Sequence, residues 1–226
     1  MNIHRTVWNQ QHQRLKAALS HPDKHPDWRH LFIHQHAQVH SSQLSPDKEW
    51  SFEDEVMLGL GDDTLRRIPG RGEHSIAWIL FHLARIEDVT MNMLVAGNIQ
   101  LVEEDNWLEK MCVSIVDTGN TLSQKEIAQL SQTIALGALR AYRLSVGRRT
   151  CQLINQLTPG ELHRLVDRTR LEKVRLSGAI ASDASGILDY WGKRTIAGLL
   201  LMPPTRHCFL HLNEALKIKH YLSKNN

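Results

Sequence analysis

Two histidines near the C-terminus, His207 and His211, have the spacing of a metal-binding pair. They follow the proline pair at 203–204, which suits the first turn of a helix because a backbone N–H there has no partner. Residues four apart on a helix lie one turn apart on one face, so both imidazoles can reach one divalent metal ion. The same face continues through apolar residues, namely Ala215, Ile218 and Leu222. We therefore expect the pair to face the protein core.

The spacing alone does not establish a metal site. The chain contains 14 histidines, so a pair four residues apart also arises by chance. A buried histidine needs a polar partner in any case, and a metal site needs at least one further ligand. The alternative is therefore a pair of hydrogen-bonded core histidines, and a third ligand has to be sought elsewhere.

The N-terminal part of the chain offers a rival metal site. Eight of the histidines lie before residue 41, and His34, His36 and His40 are close together on a predicted helix over 27–42. His36 and His40 repeat the four-residue spacing. Their neighbours are rich in glutamine and serine, so we expect these histidines to be half exposed.

A third candidate ligand, His82, lies on a long predicted helix from His74 to Gly97. At 100° per residue it falls at the edge of a broad apolar arc, and a lone histidine there is more often a hydrogen-bonded core residue than a ligand. Glu87 falls inside the arc, which is unusual for a carboxylate. The arc consists of Ile76, Ile79, Leu80, Leu83, Ile86, Met93 and Leu94.

Two glutamates and a cysteine lie near these histidines in the sequence. Glu87 and Glu214 are candidate partners of ligating imidazoles or general bases, while ordinary ion pairs with Arg85, Arg206 or lysines are the simpler interpretation of each. Cys208 adjoins His207 but points about 100° away around the helix, which favours packing over ligation.

Composition places the chain among ordinary globular proteins. Its 226 residues suit a single domain, and 42% hydrophobic and 23% charged residues are typical values. A net charge of +3 without a long basic run argues against dedicated nucleic-acid binding. The three cysteines are widely spaced and do not indicate a disulfide framework. The chain opens without a signal-peptide pattern and lacks an apolar run of membrane-spanning length, so we expect a cytoplasmic protein without a membrane partner.

The periodicity predicts an all-α protein, because no segment shows the sustained alternation of a strand. We expect one domain over 1–226, with an N-terminal helical extension over 1–25 and a bundle core over 27–222. Four antiparallel helices should form this core, at about 27–42, 74–96, 123–157 and 203–222.

Two segments together resemble the DinB-like (damage-inducible type) superfamily of metal-binding four-helix bundles. HSIAWILFHLARIED matches that family's pattern of an apolar residue, Trp, three residues, His and Leu, with Trp78 and His82 at its fixed positions. PPTRHCFLHLNEALKIK matches its late HxxxH helix through His207 and His211. The resemblance covers roughly 27–221 and is most specific in these two segments. It implies an up-down bundle in which His82, His207 and His211 bind one divalent metal. The N-terminal helix and the additional helical segments over 158–202 depart from the family pattern.

The resemblance implies two classes of function. One is a metal-dependent enzyme, a thiol-dependent S-transferase or a hydrolase, acting on a small molecule such as a thiol. The other is a non-catalytic metal- or ligand-binding bundle involved in stress responses. Imidazole ligands suit zinc, nickel, copper or iron(II) without selecting among them. Apolar segments around Trp8 and Trp191 also lead us to expect a homodimer.

Overall fold

The computed structural model describes residues 2–45, 49–70 and 74–225, which are mostly helical. Within these ranges the only extended pairing is an isolated antiparallel bridge between Leu165 and Thr195. The predicted all-α class is confirmed.

The helices follow one another with short connections. The α-helices are α1 (Ile3–Ser20), α2 (Trp28–Ala37), α3 (Phe52–Met57), α4 (Asp62–Arg66), α5 (Ile76–Asp88), α6 (Leu101–Glu104), α7 (Trp107–Lys110), α8 (Gln124–Thr133), α9 (Leu136–Gln156), α10 (Pro159–Leu162), α11 (Arg168–Leu176), α12 (Gly186–Gly192), α13 (Ile196–Leu200) and α14 (Cys208–Lys224). Short 3-10 turns cover Ser42–Leu44 and Ser182–Ala184, and π-helical segments cover Val89–Ala96 and Met202–His207.

Helix α5 is the centre of the molecule. It packs against α9, α14, α8 and α4, and every residue from Ile76 to Asp88 is buried. The sequence predicted one apolar arc, but a helix enclosed by neighbours buries its whole circumference. Ser75 begins the helix by accepting a hydrogen bond from the backbone N–H of Trp78 at 3.0 Å.

Helices α2, α5, α9 and α14 form the bundle that the sequence predicted, with two adjustments to the bounds. The first helix ends at Ala37 rather than near residue 42. The third divides into α8 and α9, because Ile134 and Ala135 adopt extended backbone conformations. The backbone N–H of Ala135 then donates to the carbonyl of Met111 at 2.8 Å, which ties this break to the preceding loop.

Each of the two long helices that carry candidate ligands has a π-helical segment at one end. After α5, the hydroxyl of Thr90 donates to the carbonyl of Ile86 at 2.8 Å, and Gly97 ends the segment with φ of 79°. Before α14, Pro203 and Pro204 lack backbone N–H donors, so the regular α-helical hydrogen-bond pattern is interrupted there.

The N-terminal helix α1 packs directly on α2. Trp8 is 0% exposed, its indole N–H donates to the carbonyl of Gln35 at 3.2 Å, and its ring stacks on Phe209 at 4.1 Å. Trp191 is buried as well. The two tryptophans that led us to expect a homodimer are therefore covered by their own chain, and self-association stays a prediction. Among the described helices, none is long and apolar enough to cross a membrane.

Candidate metal centre

His82, His207 and His211 come together where α5 meets the start of α14. The Nε2 atoms of His82 and His207 are 3.2 Å apart. The ring of His211 lies 5.1 Å from that of His82 and 4.6 Å from that of His207, measured between centroids. The three ring planes are steeply inclined, at 64° to 76° to one another, so three separate edges converge on one point.

This spacing fits a shared metal ion. Zn–N bonds of about 2.0–2.1 Å at tetrahedral angles place two ligand nitrogens about 3.3 Å apart. The distance between the Nε2 atoms of His82 and His207 is close to that value. One nitrogen from each of the three histidines lies within 4.8 Å of the others, so this group could hold a metal ion.

The orientation of His82 is fixed by a backbone carbonyl. Its Nδ1 lies 2.8 Å from the oxygen of Thr118, and because a carbonyl can only accept, Nδ1 must carry the proton. In the neutral ring Nε2 then offers its lone pair to the centre. Gly119, with φ of 77°, makes the turn that presents this carbonyl, and a Cβ there would lie 3.3 Å from the indole nitrogen of Trp78.

A carboxylate orients His211. Its Nδ1 donates to Glu214 at 2.9 Å, which leaves Nε2 for the centre. The other oxygen of Glu214 accepts from Nδ1 of His74 at 2.7 Å. Glu214 therefore serves two histidines, and the simpler expectation of an ion pair with Arg206 or a lysine is wrong. Arg206 instead donates to Asn9 at 2.7 Å.

His207 lacks such support. Its Nδ1 is buried and has no hydrogen-bond partner within the described part of the chain. Two of the three imidazoles therefore have protein groups that fix their tautomer, as ligating histidines usually do, and the third does not.

Burial keeps the His82 and His207 rings neutral. It lowers the pKa of His82 to about 3, and the hydrogen bond to Thr118 offsets only part of that effect. Burial, followed by the proximity of His82 and His211, places the pKa of His207 well below its usual range. Neutral imidazoles are the form that binds metals, so these two rings are in the required state without first losing protons.

Trp78 covers one side of the centre. Its indole lies between two imidazoles, stacked on His74 at 3.8 Å and on His82 at 4.8 Å, with planes within 6° of parallel. Trp78 and His82 are four apart on one face of α5, and His74 precedes the helix at the same spacing, which explains the stack. Trp78 therefore restricts the movement of the His82 ring.

The rival histidines form a separate cluster around Glu87. His36, His40 and Glu87 are 0%, 1% and 0% exposed, so our expectation of half-exposed rings is wrong. His34 does not join them, because it points outward and pairs with Glu49 at 2.5 Å. The name buried histidine cluster is used below for His36, His40 and Glu87.

Hydrogen bonds account for the geometry of the buried histidine cluster. Nε2 of His36 donates to one oxygen of Glu87 and Nε2 of His40 to the other, both at 2.7 Å. The hydroxyl of Thr150 donates to the same carboxylate at 2.7 Å. Nitrogen–oxygen distances of 2.7 Å are those of charge-assisted hydrogen bonds, shorter than the separation of two ligands around one metal. This group could also hold a metal ion, but in this arrangement its ligand atoms are bonded to one another. The expected pairing of Glu87 with Arg85 is wrong.

The two imidazoles of this cluster differ in charge. Burial lowers the pKa of His36, but attraction to Glu87 and the hydrogen bonds of the ring with Cys151 and Glu87 outweigh it and raise the pKa to about 9. Burial and the nearby Arg143 lower the pKa of His40 to about 3. Despite its burial, Glu87 has a pKa well below its usual range because both histidines face it. The cluster therefore holds a carboxylate and one imidazolium, which balance each other.

Cys208 belongs to neither group of histidines. Its thiol is buried and donates to the carbonyl of Pro203 at 3.5 Å, as the packing interpretation predicted. Sequence reasoning did not identify the roles of Thr118 and His74 at the centre. The turn-forming Thr118-Gly119-Asn120 was the available signal for the first, and the spacing of His74 from Trp78 for the second.

Comparison with known families gives one match. A family model described as the DinB superfamily matches residues 48–214, which include His82, His207, His211 and Glu214 but neither His36 nor His40. No curated protein matches the chain. Because the matched stretch is well over half of the chain and the fold is an all-α bundle, the protein belongs to the DinB superfamily.

Proposed function

We propose that this protein binds one divalent metal ion through His82, His207 and His211 and is a metal-dependent enzyme acting on a small molecule. The observation that carries the proposal is the convergence of three imidazole edges, two of them fixed by Thr118 and Glu214 with Nε2 directed inward. Zinc, nickel and iron are all compatible with such ligands.

Three protein ligands leave at least one coordination position open, as in catalytic zinc sites. A divalent ion held by neutral imidazoles keeps its full positive charge and supplies Lewis-acid chemistry toward a thiol or water. His211 is 22% exposed at its side chain, and Glu214 beside it is 35% exposed. The open position would therefore face solvent along this edge of α14.

Glu214 acts as an orienting acceptor for His211. Partial burial raises its pKa, but hydrogen bonds from His211 and His74 outweigh this and lower it to about 2. A carboxylate of such low basicity is a poor proton acceptor near neutral pH. It does hold the Nδ1 proton of His211 in place, which keeps Nε2 available as a ligand.

Two reaction types fit this site: transfer to a thiol, and hydrolysis. Both need an anionic nucleophile near neutral pH, which a metal with an open position provides. A non-catalytic binding role is the second candidate. It is favoured by the position of a groove of about 600 Å³, which is lined by residues between Leu108 and Thr133 and contains none of the three histidines.

Metal titration of purified protein tests the binding step. We expect one equivalent of divalent ion per chain, and His211→Ala should lose most of the affinity because two imidazoles are a poor chelate. His220→Ala is the matched control, since it removes an exposed histidine from the same helix. Equal metal affinity in both variants would show that the centre lies elsewhere.

Activity measurements then separate the two candidates. Metal-loaded protein is assayed against panels of thiol acceptors and of ester and amide substrates, with metal-free protein as the baseline. Turnover that requires metal and is lost in His211→Ala supports the enzyme. Stoichiometric metal binding without turnover on either panel supports the binding protein.

A further inference from the structure

Cys151 on α9 lies beside the buried histidine cluster. Its Sγ is 3.8 Å from Nδ1 of His36, within reach of a sulfur hydrogen bond. The other nitrogen of that ring donates to Glu87 at 2.7 Å. Thr150, next to Cys151 in sequence, donates to the same oxygen of Glu87. The three groups thus lie in the order thiol, imidazole, carboxylate.

This order is the one used to activate a nucleophile. An imidazolium whose Nε2 proton is held by a carboxylate can donate its Nδ1 proton to a neighbouring sulfur. The imidazolium then stabilises the thiolate, which is the reactive form of cysteine. Hydrogen bonds to both ring nitrogens of His36 hold the ring in the required orientation.

The other two cysteines have different surroundings. Cys208 is buried and its thiol donates to a backbone carbonyl. Cys112 is exposed, and within the described ranges no histidine is hydrogen-bonded to its thiol. Cys151 is half-buried, and its Sγ lies beside the imidazole of His36.

The charges around this thiol come from four helical elements. His36 belongs to α2, Glu53 to α3, Glu87 to α5 and Arg143 to α9, while His40 follows α2. Arg143 pairs with Glu53, and Glu87 faces His36 and His40. The two carboxylates are thus matched by Arg143 and the imidazolium of His36, whose pKa is raised to about 9. Formation of a thiolate adds one negative charge at the half-buried edge, where His36 and solvent can stabilise it.

We propose that Cys151, His36 and Glu87 form a reactive thiol site, separate from the metal centre, that undergoes exchange with low-molecular-weight disulfides. The Cys151 thiol gives its proton to solvent, and the Nδ1–H of the His36 imidazolium faces the resulting thiolate. The sulfur attacks one sulfur of a disulfide R–S–S–R, the S–S bond of the reagent breaks, and R–S⁻ leaves. The products are a mixed disulfide, Cys151–S–S–R, and R–SH after the leaving thiolate takes up a proton from solvent.

Glu87 and Thr150 are positioning residues in this proposal. Neither touches the reagent, since both are 0% exposed. Glu87 keeps the Nε2 proton of His36 in place, so that Nδ1 remains directed at sulfur. The site requires no metal, and failure of the metal proposal would leave it unaffected.

The test uses the full-length protein and hydroxyethyl disulfide, a small uncharged reagent. Modification of each cysteine is followed by peptide mass mapping at several pH values. An ordinary exposed thiol reacts roughly seventyfold more slowly at pH 6 than at pH 8, because its thiolate fraction falls. We expect Cys151 to slow by less than fivefold over this range and, at pH 6, to react at least tenfold faster than Cys112. Parallel slowing of the two cysteines would overturn the proposal.

Variants identify the activating groups. In a Cys112→Ser background, Glu87→Gln and His36→Gln should each restore the steep pH dependence at Cys151, with folding checked by circular dichroism. Arg149→Gln is the matched control, because it removes a positive charge on α9 that pairs with Glu104 outside the buried histidine cluster. A flat profile that survives in folded Glu87→Gln would contradict the role of the carboxylate. If both cluster variants fail to fold, the comparison of Cys151 with Cys112 in the unaltered chain still decides the question.

Discussion

The candidate metal centre and the buried histidine cluster share one arrangement but differ in chemistry. Each combines two histidines four residues apart with one side chain from α5. In the first, the α5 residue is His82, and its Nε2 lies 3.2 Å from that of His207. In the second it is Glu87, which accepts the protons of His36 and His40. The residue from α5, rather than the spacing of the histidines, therefore determines the chemistry. His82 suits the binding of a cation, whereas Glu87 accepts the imidazole N–H protons.

Solvent access separates the two regions as well. His207 and His211 are half-buried at an edge of α14, whereas His36 and His40 are enclosed. At the second, Cys151 is a half-buried neighbour of His36.

Removal of Glu87 and removal of Glu214 should affect different properties, the first mainly stability and the second mainly metal affinity. Glu87→Ala leaves two histidines and a threonine without their buried acceptor, and we expect it to lower the free energy of unfolding by about 3–5 kcal/mol. Glu214→Ala changes a half-exposed carboxylate, so its cost in stability should stay below about 1 kcal/mol, but metal affinity should fall roughly 10- to 100-fold. Urea unfolding and metal titration of both variants check this. Similar stability losses in the two would show that the clusters are not functionally distinct.

The metal-free protein should lose stability on both sides of neutrality, for different reasons. His82 and His40, with pKa values near 3 when folded, take up protons near pH 6.5 when unfolded, so stability falls as pH drops below about 6.5. His36 has a raised pKa near 9, so its contribution is complete below about pH 6.5 and is lost as pH rises toward 9. Each such group changes stability by at most about 1.4 kcal/mol per pH unit.

Urea unfolding near pH 5, 7 and 9 measures both losses. Saturating metal should raise stability at all three pH values without reducing the acid loss, because it binds the folded protein only and protons still bind the histidines of the unfolded chain. Glu87→Gln should remove the alkaline loss, because His36 would no longer hold its proton. An alkaline loss that is unchanged in this variant would contradict the assigned charge on His36.

A substitution at the Gly119 turn should affect the candidate metal centre but not the reactivity of Cys151. Gly119→Ala forces a side chain into φ of 77° and brings its Cβ 3.3 Å from the indole nitrogen of Trp78. We expect a loss of about 1–3 kcal/mol in unfolding free energy and weaker metal binding, because Thr118 would move away from His82. Disulfide exchange at Cys151 should keep its rate and pH dependence. Gly160→Ala, at a position with open space around it, is the control.

The smallest effect is expected at His34. It lies next to the buried histidine cluster in sequence, but its side chain is 28% exposed and pairs with Glu49 at the surface. His34→Ala should change the free energy of unfolding by less than about 1 kcal/mol and leave metal binding intact. Thermal unfolding of this variant and of the unaltered protein, measured side by side, tests this. A decrease of several kcal/mol in the free energy of unfolding would mean that His34 belongs to the buried histidine cluster.

Local patterns predicted the main helices and the three histidines that come together. His207 and His211 could be paired because four-residue spacing is preserved by any α-helix, and His82 was found from its resemblance to a family pattern. The break between α8 and α9 was less visible, because Ile134 and Ala135 are compatible with a helix in isolation. The backbone hydrogen bond from Ala135 to Met111 spans 24 positions, and no local signal reports it.

Long-range partners were the main source of error. His36 was expected to be half exposed because glutamine and serine surround it, yet Gln35 is 1% exposed and its side chain donates to the carbonyl of Trp8 at 3.3 Å. In a sequence, polar residues that form hydrogen bonds between two helices cannot be distinguished from polar residues on the surface. Glu87 was unusual inside an apolar arc, which signalled a buried partner without identifying it, since His36 and His40 lie about fifty positions away.

The stacking of Trp78 on His74 and His82 also places a fluorescent side chain beside the three histidines. An indole in contact with an imidazole ligand is quenched by ions with unfilled d shells, such as Ni²⁺ or Fe²⁺, whereas Zn²⁺ leaves most of its emission intact. Five other tryptophans contribute background, so the useful signal is the difference between this protein and Trp78→Phe. The protein thus contains a fluorophore beside the centre that can report which class of ion has entered.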